Sequence, residues 1–324
     1  MPTTHRLFWW NLENLFDTVN STNRTEKLQR TLNKELKGWT TAILSKKIAQ
    51  LNKVITALNP DILGVCEVEN LPVLQQLVDA MSTALNRPYK VLHQDTKDAR
   101  GIDVAFIYDS SKYTPKGELF SLEVMRRNAT RDIVQVQLQT KAGNLLVLLG
   151  NHWPARSDGK YESEPFRMMV GEVLSYWVKR IHEIEGKGAS IVAMGDFNDE
   201  PFDRSLVEYA KSTHIIKQIE NSTTTDYLYN LSAACINGKL GTYVFGNEIN
   251  VLDQFLVSKA IAVKTKLSKF SVAAPVRICH DVVPGMVKGE YNAPVKFGRP
   301  AEASTFNKEG FSDHLPIALT LEEK

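Results

Sequence analysis

The chain has 324 residues, of which 43% are hydrophobic and 23% are charged, which is typical of a globular protein with a substantial core. Its 39 Lys and Arg residues almost balance 37 Asp and Glu residues, so the net charge of +2 argues against a strong overall attraction to nucleic acid or to an anionic membrane. No apolar run reaches the roughly 18 residues that a membrane-spanning helix needs, so no stable membrane insertion is expected.

Short apolar runs alternate with longer helical patterns from the beginning of the chain. Residues 6–10 (RLFWW) predict a strand, and residues 41–58 predict a helix because their leucines and isoleucines recur at helical spacing and stop before an Asn-Pro pair. Residues 61–70 (DILGVCEVEN) predict a buried strand with an acidic end, and residues 70–85 predict a second helix.

The rest of the chain adds more strands and one long helix. Residues 162–184 predict this helix, with large apolar side chains on one face, whereas residues 271–311 mix Gly, Pro and basic residues and predict a long loop. No repeat or linker separates these elements, so residues 1–324 are predicted to form a single domain. The further strands are predicted in GIDVAFIYD (101–109), DIVQVQLQT (132–140), NLLVLLGNHW (144–153), SIVAMGDFNDEP (190–201), VLDQFLVS (251–258) and LPIALTL (315–321).

The cysteines and the first residues bear on the cellular compartment. Cys66, Cys235 and Cys279 are odd in number and lack metal-ligand spacing, which argues against a disulfide framework and a structural zinc site. The start MPTTHRLFWW has no basic segment followed by an apolar one, so a cytoplasmic protein is expected, although a secreted protein whose leader has been removed would look the same. A monomer is expected.

Polar side chains recur where the apolar runs end or begin. Asn or Asp after a strand is ordinary turn chemistry, but its repetition at so many strand ends is hard to explain in that way. In a layered α/β fold these ends meet at one rim, where ligands collect. The residues concerned are Asn11, Glu67, Asn151, His152, Asp196, Asn198, Asp253, Asp313 and His314.

The chemistry of these side chains indicates a metal-assisted reaction. The four carboxylates among them are hard oxygen donors, and the amides of Asn11 and Asn198 add carbonyl oxygens, a set that favours Mg²⁺, with Mn²⁺ as a substitute. His152 and His314 stand beside these groups and suit proton transfer near neutral pH, although an isolated histidine is equally well explained by a structural role. Together they predict hydrolysis of a phosphate ester.

Seven segments resemble one protein family. In the family's own order, and spread over residues 6–320, they resemble the endonuclease/exonuclease/phosphatase superfamily, which includes pancreatic-type deoxyribonucleases, apurinic/apyrimidinic endonucleases, sphingomyelinases and inositol polyphosphate phosphatases. The chain is most similar to bacterial members whose substrate is unsettled. The segments are WWNLENLFD, GVCEVEN, RGIDVAFIY, GNHWPAR, GDFNDEP, VLDQFLVS and FSDHLPIAL.

The resemblance implies a fold and a metal site. The fold would be an α/β four-layer α/β/β/α sandwich, in which two packed mixed β-sheets are flanked by helices, as in deoxyribonucleases. Glu67 would be the principal metal-binding carboxylate, with Asn11 and Asp313 beside the same Mg²⁺ ion.

The resemblance also implies catalytic roles. His152 would contact the phosphate and protonate the leaving oxygen, while Asp196 and Asn198 would orient the attacking water and the phosphate. Asp253 would be either water-orienting or metal-binding, and His314 would be a catalytic histidine that works with the acid before it.

Two further residues carry looser predictions. Arg156, four residues after His152, is predicted to pair with a phosphate oxygen, with a surface arginine as the alternative. Asp103 lies in the strand where the nuclease members keep an acid that hydrogen-bonds the first histidine, and a buried structural role near Arg100 explains it as well.

Three functions follow as alternatives. The first is a Mg²⁺-dependent phosphodiesterase or endonuclease acting on nucleic acid, although the lack of a broad basic surface argues against tight, processive binding. The second is a phosphatase or phosphodiesterase for a small-molecule or lipid phosphate, similar to sphingomyelinases or inositol phosphatases, with the segment 271–311 shaping the pocket. The third is a non-catalytic binding module, which the filled catalytic positions disfavour.

Overall fold

Two mixed β-sheets packed face to face, with helices on their outer sides, make up the computed structural model, so the predicted four-layer sandwich is confirmed. Among the described helices, none is both long and apolar enough to cross a membrane. The structure describes residues 2–18, 21–22, 24, 26–36, 38–96, 101–124, 132–157, 159–265, 268–298 and 306–324.

The strands follow one another in this order: β1 (Thr3–Leu15), β2 (Ile62–Val68), β3 (Tyr89–His93), β4 (Asp103–Asp109), β5 (Tyr113–Pro115), β6 (Phe120–Leu122), β7 (Ile133–Thr140), β8 (Leu145–His152), β9 (Ser190–Asp196), β10 (Ser212–Thr213), β11 (Leu228–Asn230), β12 (Tyr243–Phe245), β13 (Glu248–Asn250), β14 (Asp253–Val257), β15 (Phe270–Ile278), β16 (Val287–Lys288), β17 (Ala293–Pro294) and β18 (Ile317–Glu323). The helices are α1 (Glu26–Glu35), α2 (Thr41–Leu58), α3 (Leu71–Leu85), α4 (Lys160–Glu185), α5 (Ile216–Asn221) and α6 (Lys259–Ala262), with a π-helical turn at Ser205–Tyr209 and a 3₁₀ turn at Leu231–Cys235.

In each sheet a parallel pair of strands near the middle runs toward the same rim. The first sheet has the order β15-β18-β1-β2-β4-β3, with β1 and β2 parallel. The second has the order β10-β11-β14-β9-β8-β7-β5, with β6 also pairing with β7, and here β8 and β9 are parallel. Two short hairpins, β12–β13 and β16–β17, lie outside both sheets.

The two long helices of the first half end where the sequence predicts. Thr40 caps α2 by accepting a hydrogen bond from the Ile43 amide, and Asn59 ends the helix in a left-handed conformation. Asn70 caps α3 in the same way, and Asn86 ends it. Asparagine tolerates this conformation better than most residues, so the sequence itself encodes both stops.

Glycines let the sheets approach closely. A Cβ atom on Gly64 of β2 would lie 2.6 Å from Trp9 Cε3 and 3.0 Å from Met194 Sδ, and one on Gly150 of β8 would lie 2.6 Å from Val104 Cγ1. Those distances are shorter than van der Waals contact, so neither strand accommodates a side chain at these points. The close approach brings the rims of both sheets together.

Two hydrophobic cores flank the second sheet. The larger fills the space between the sheets and extends beneath α2 and α3, and it contains the three buried, free cysteines, as expected for thiols outside a disulfide framework. The smaller lies between the second sheet and α4, whose Val170, Leu174, Val178 and Ile181 pack on β8 and β9. These contacts fix α4 behind the loops that follow β8 and β9.

The prediction of a long loop over residues 271–311 is wrong in its first part. Residues 270–278 form β15, which pairs with β18 at the edge of the first sheet. The strand was obscured because its Ala-Ala-Pro run breaks the alternation of apolar and polar residues. An edge position tolerates Pro275, and two register shifts along the pairing absorb the irregularity. The β16–β17 hairpin also lies in this segment.

Candidate functional site

The predicted site residues converge at one rim of the two sheets. His152 and Asp196 are direct partners at the ends of the parallel strands β8 and β9. Asp253 begins the antiparallel strand β14 opposite Asp196. Asn11 and Glu67 lie on β1 and β2, at the matching end of the first sheet. The topology therefore joins residues that are far apart in sequence.

Irregular backbone aims several of these side chains. The β1–β2 register shifts between Asn11 and Leu15, and the β2–β4 register shifts between Cys66 and Val68, so each strand carries a bulge at the site. Left-handed backbone is uncommon outside glycine and clusters at functional sites. Here it occurs at Glu13 (φ 53°), Asn14 (φ 55°), Glu67 (φ 62°) and Asn198 (φ 50°).

The Glu67 carboxylate is held by the bulge of the neighbouring strand. The backbone amide of Asn14 donates to Glu67 Oε2 at 2.9 Å, and Glu67 Oε1 lies 3.7 Å from His152 Nε2. In turn, the Glu13 amide donates to Asn11 Oδ1 at 3.0 Å. The bulge of β1 thus orients the two side chains from the first sheet that point to the site.

Asp253 and His314 form a close, buried pair. His314 Nδ1 lies 2.7 Å from Asp253 Oδ2, while Trp9 Nε1 donates to Asp253 Oδ1 at 3.1 Å. The Tyr243 ring lies 4.8 Å from the imidazole and limits its movement. Burial disfavours the charged imidazole, but Asp253 and Asp196 outweigh it and raise the pKa of His314 well above its ordinary value.

Asp196 lies at the centre of the rim. Its Oδ2 is 3.8 Å from His314 Nε2 and 3.8 Å from His152 Nε2. The Asn11 amide donates to Oδ2 at 3.2 Å, and the Asn198 backbone amide donates to Oδ1 at 3.0 Å. Burial raises the pKa of Asp196 to about 6, with the charge of His314 opposing the rise and that of Asp253 adding to it.

Acidic and histidine side chains at the rim form a candidate metal site. Asp196, Asp253 and His314 each offer a ligand atom within 4.8 Å of the others, and all three are buried. The carboxylates of Glu67 and Asp313 add negative charge to the same region. Burial raises the pKa of the Cys66 thiol, and the charges of Asp196, Glu67, Asp253 and Asp313 add to the rise. Such crowding of carboxylates is costly without a cation. These acidic and histidine groups could therefore hold a metal.

A buried ion pair beside the site was missed from the sequence. Lys47 Nζ lies 3.4 Å from Glu13 Oε2 and donates to the Phe311 carbonyl at 2.7 Å, while the amides of Phe297 and Gly298 also donate to Glu13. Burial raises the pKa of Glu13 to about 7 and lowers that of Lys47. The signal was a lysine within the apolar face of α2, where solvated lysines do not belong.

Arg156 does not have the open guanidinium that a phosphate contact would use. Its Nε donates to the Asn198 carbonyl at 2.6 Å, Nη1 donates to Asn250 Oδ1 at 3.1 Å, and Nη2 contacts Asp199 at 3.2 Å and Asp203 at 3.1 Å. Protein acceptors therefore occupy all three nitrogens. This geometry indicates that Arg156 orders the loop of Asn198.

Asp103 serves a different histidine from the one predicted. Its Oδ2 lies 3.2 Å from His93 Nε2, and its Oδ1 accepts from the amide and the hydroxyl of Thr96. Both oxygens are thus used at the junction of β3 and β4. The structure corrects the expectation that Asp103 orients His152, and the structural alternative describes its position better. Arg100 lies outside the described residues.

Residues 7–323 match the model of the Endonuclease/Exonuclease/phosphatase family. A search of curated proteins found no significant match.

Solved structures of low sequence identity share the fold. An endonuclease/exonuclease/phosphatase family protein from Bacteroides thetaiotaomicron has 14% identity and a TM-score of 0.56, with 100% of this chain and 99% of that chain covered. The human Nocturnin catalytic domain with bound sulfate has 16% identity and a TM-score of 0.56, with 99% and 95% covered. A mannosyl-6-phosphatase from B. thetaiotaomicron has 15% identity and a TM-score of 0.54, with 98% and 99% covered. The family match spans nearly the whole chain, and the chain therefore belongs to the endonuclease/exonuclease/phosphatase family, whose members are hydrolases that act on phosphate esters.

Proposed function

We propose that the protein is a Mg²⁺-dependent phosphodiesterase that acts on nucleic acid. The observation that carries the proposal is the arrangement around Asp196, which has the Asp253–His314 pair on one side and His152 with Glu67 on the other. A buried carboxylate that can take a proton from the attacking water, flanked by two histidines that can donate to the phosphate and to the leaving oxygen, suits an in-line displacement.

Glu67, Asn11 and Asp313 would hold the cation, with Mn²⁺ as a substitute. When bound, the cation would polarise the phosphoryl oxygen and neutralise the charge that develops there. Asn14 would keep Glu67 in place through its backbone amide. The assignment of these three residues follows the family resemblance, and their oxygen donors and the left-handed backbone at Glu67 support it.

The remaining residues would act on water and phosphate. Asp196, ionised above pH 6, would accept a proton of the attacking water, while Asn198 positions the phosphate. Asp253 would keep the His314 proton on Nδ1 and stabilise the imidazolium, so that Nε2 donates to the phosphate oxygens. His152 would supply a proton to the leaving oxygen.

A small-molecule phosphate ester is the second candidate substrate. The net charge of +2 gives no strong attraction to a polyanion, and a sugar phosphatase is among the structures of the same fold. The same residues would then act on a monoester, with selectivity set by the hairpins β12–β13 and β16–β17 near the rim.

A substrate panel tests the proposal. Plasmid DNA, RNA, sphingomyelin, inositol phosphates, mannose 6-phosphate and bis-p-nitrophenyl phosphate are each incubated with Mg²⁺ or with EDTA. We expect nucleic acid and bis-p-nitrophenyl phosphate to be cleaved only with Mg²⁺. His152→Ala and His314→Ala should each lower kcat about 10²- to 10⁴-fold with an unchanged circular dichroism spectrum. His214→Ala, at an exposed position, is the control. Turnover that persists in EDTA, or a near wild-type His314→Ala enzyme, would refute the mechanism.

A further inference from the structure

Asp199, the residue after Asn198, is a buried carboxylate shared by two arginines. Its side chain is 1% exposed, and its Oδ2 lies 2.7 Å from Arg167 Nε and accepts a 2.5 Å hydrogen bond from the Ser205 hydroxyl. Its Oδ1 lies 3.2 Å from Arg156 Nη2. A buried carboxylate with two guanidinium partners has little freedom to move, because every displacement leaves a charge without its partner.

Arg167 ties this carboxylate to the start of α4. The side chain is fully buried, and its Nη1 donates to Ser163 Oγ at 2.7 Å and to the Pro154 carbonyl at 3.4 Å, while Nη2 donates to the Lys160 carbonyl at 2.8 Å. Since Pro154 lies two residues after His152, Arg167 joins the helix to the loop that follows β8.

Arg156 links the same loop to the one that follows β9. It lies four residues after His152, and its Nε donates to the Asn198 carbonyl at 2.6 Å. Asn198 itself donates from Nδ2 to the Trp153 carbonyl at 3.0 Å. The two loops are therefore joined twice across the rim. Asn198 is held in left-handed backbone at this junction, a conformation that persists only where its surroundings constrain it.

We propose that Arg156, Asp199 and Arg167, the Asp199 triad, form a positioning unit that sets the spacing between His152 and Asn198. The inference rests on the proposed function for the roles of those two residues. The triad acts through the loops, so its members are positioning residues.

The triad is separate from the residues proposed to bind metal. Within the described part of the chain, its side-chain bonds go to residues 154–167, to residues 198–205 and to Asn250, and none goes to Glu67, Asn11 or Asp313. A loosened triad should therefore disturb phosphate positioning and leave metal binding intact. A residue that only supported the fold would affect metal binding and phosphate positioning together, whereas a positioning residue affects phosphate positioning alone.

The first test is Asp199→Asn in the full chain. We expect kcat for bis-p-nitrophenyl phosphate to fall about 10- to 100-fold, because ångström-scale misplacement of catalytic groups costs rates of this order. The Kd for Mn²⁺, measured by calorimetry, should stay within twofold of wild type. Asp226→Asn is the matched control, since Asp226, like Asp199, contacts two basic side chains, in this case those of His182 and Lys187. The control should keep its kcat.

A second variant separates positioning from folding. Arg167→Met combined with Asp199→Leu replaces the buried charges by apolar side chains, a change that buried ion pairs often tolerate. We expect a cooperative thermal transition with kcat still lowered at least tenfold, measured well below the transition temperature. The positioning inference is overturned if both variants, after correction for the fraction of folded protein, have the kcat of wild type. It is also overturned if their affinity for Mn²⁺ falls in parallel with kcat.

Binding of inorganic phosphate keeps this inference distinct from the proposed function. If wild type turns over none of the substrates, the proposed function fails, whereas phosphate binding in saturating Mn²⁺ still reports on the spacing of His152 and Asn198. Asp199→Asn should weaken that binding at least fivefold with Mn²⁺ affinity unchanged. Equal phosphate affinity in wild type and Asp199→Asn would overturn the inference.

Discussion

At the scale of single residues, the site contains more buried carboxylates than positively charged side chains to pair with them. Asp196 and Asp253 face each other across β9 and β14, and His314 lies between them. Burial raises the pKa of Asp196 to about 6, because one imidazolium does not fully offset two buried carboxylates, whereas Asp253 and Asp196 raise the pKa of His314 well above its ordinary value. The same imbalance makes the site receptive to a cation.

Without metal, the unfolding free energy of Asp196→Asn relative to that of wild type should increase as the pH rises. Because the folded-state pKa of Asp196 is raised from 3.8 to about 6, its contribution to stability is fully present below pH 3.8 and is lost as the pH rises through 6. The asparagine cannot ionise. In EDTA, the difference in unfolding free energy between variant and wild type should shift by ~2 kcal/mol in the variant's favour between pH 4 and pH 7.5.

Urea denaturation at the two pH values measures this shift. Asp79→Asn, at an exposed position on α3, is the control and should follow wild type at both pH values, since solvent reaches that side chain in the folded protein. If the difference in unfolding free energy between Asp196→Asn and wild type is the same at both pH values, burial does not raise the pKa of Asp196.

The identity of the rim residues could be predicted from the sequence, but their contacts could not. Asn11, Glu67, His152 and Asp196 are predicted because each ends an apolar run, and His314 is predicted because it stands directly before one. The partners of Arg156 lie 42–94 residues away along the chain, so nothing in its local sequence indicated that its guanidinium is already bonded. The position of Lys47 within the apolar face of α2 indicates burial, but its partner Glu13 lies on β1, 34 residues away, and could not be identified from the sequence.

At the scale of elements, tight packing of the sheets and bulged strand ends work together. Gly64 and Gly150 allow the sheets to approach, and the bulges after Asn11 and Cys66 then turn the strand ends toward the shared rim. Strong apolar runs made most of the long strands predictable. The strand β15 was missed because an edge strand needs less regular alternation, and the hairpin β12–β13 because strands of three residues carry little pattern.

Gly64→Ala should destabilise the fold. The added Cβ would meet the Trp9 ring at 2.6 Å in the middle of the interface between the sheets, and overpacking of a core typically costs about 1–3 kcal/mol. Gly188→Ala is the matched control, because its Cβ would meet nothing within 4 Å. Thermal unfolding of both variants in parallel measures the effect, and equal transition temperatures would mean that the interface can relax around the methyl group.

At the scale of the whole molecule, the order of the strands explains why distant motifs meet. The chain crosses between the sheets so that β1 and β2 on one side, and β8 and β9 on the other, end at the same rim. The segment that leads to His314 returns to this rim through Ser312, whose hydroxyl donates to the Asn11 carbonyl at 2.6 Å. The resemblance of the seven segments implied this architecture, whereas spacing alone did not.

The central claim, that this rim binds a divalent cation through Glu67, is tested most directly by calorimetric titration of Mg²⁺ into wild type and Glu67→Gln at neutral pH. We expect binding to wild type and an affinity at least tenfold weaker in Glu67→Gln, a loss of about 1.4 kcal/mol or more. Glu172→Gln, an exposed position on α4, should bind as wild type does. Equal Mg²⁺ affinity in wild type and Glu67→Gln would contradict the claim.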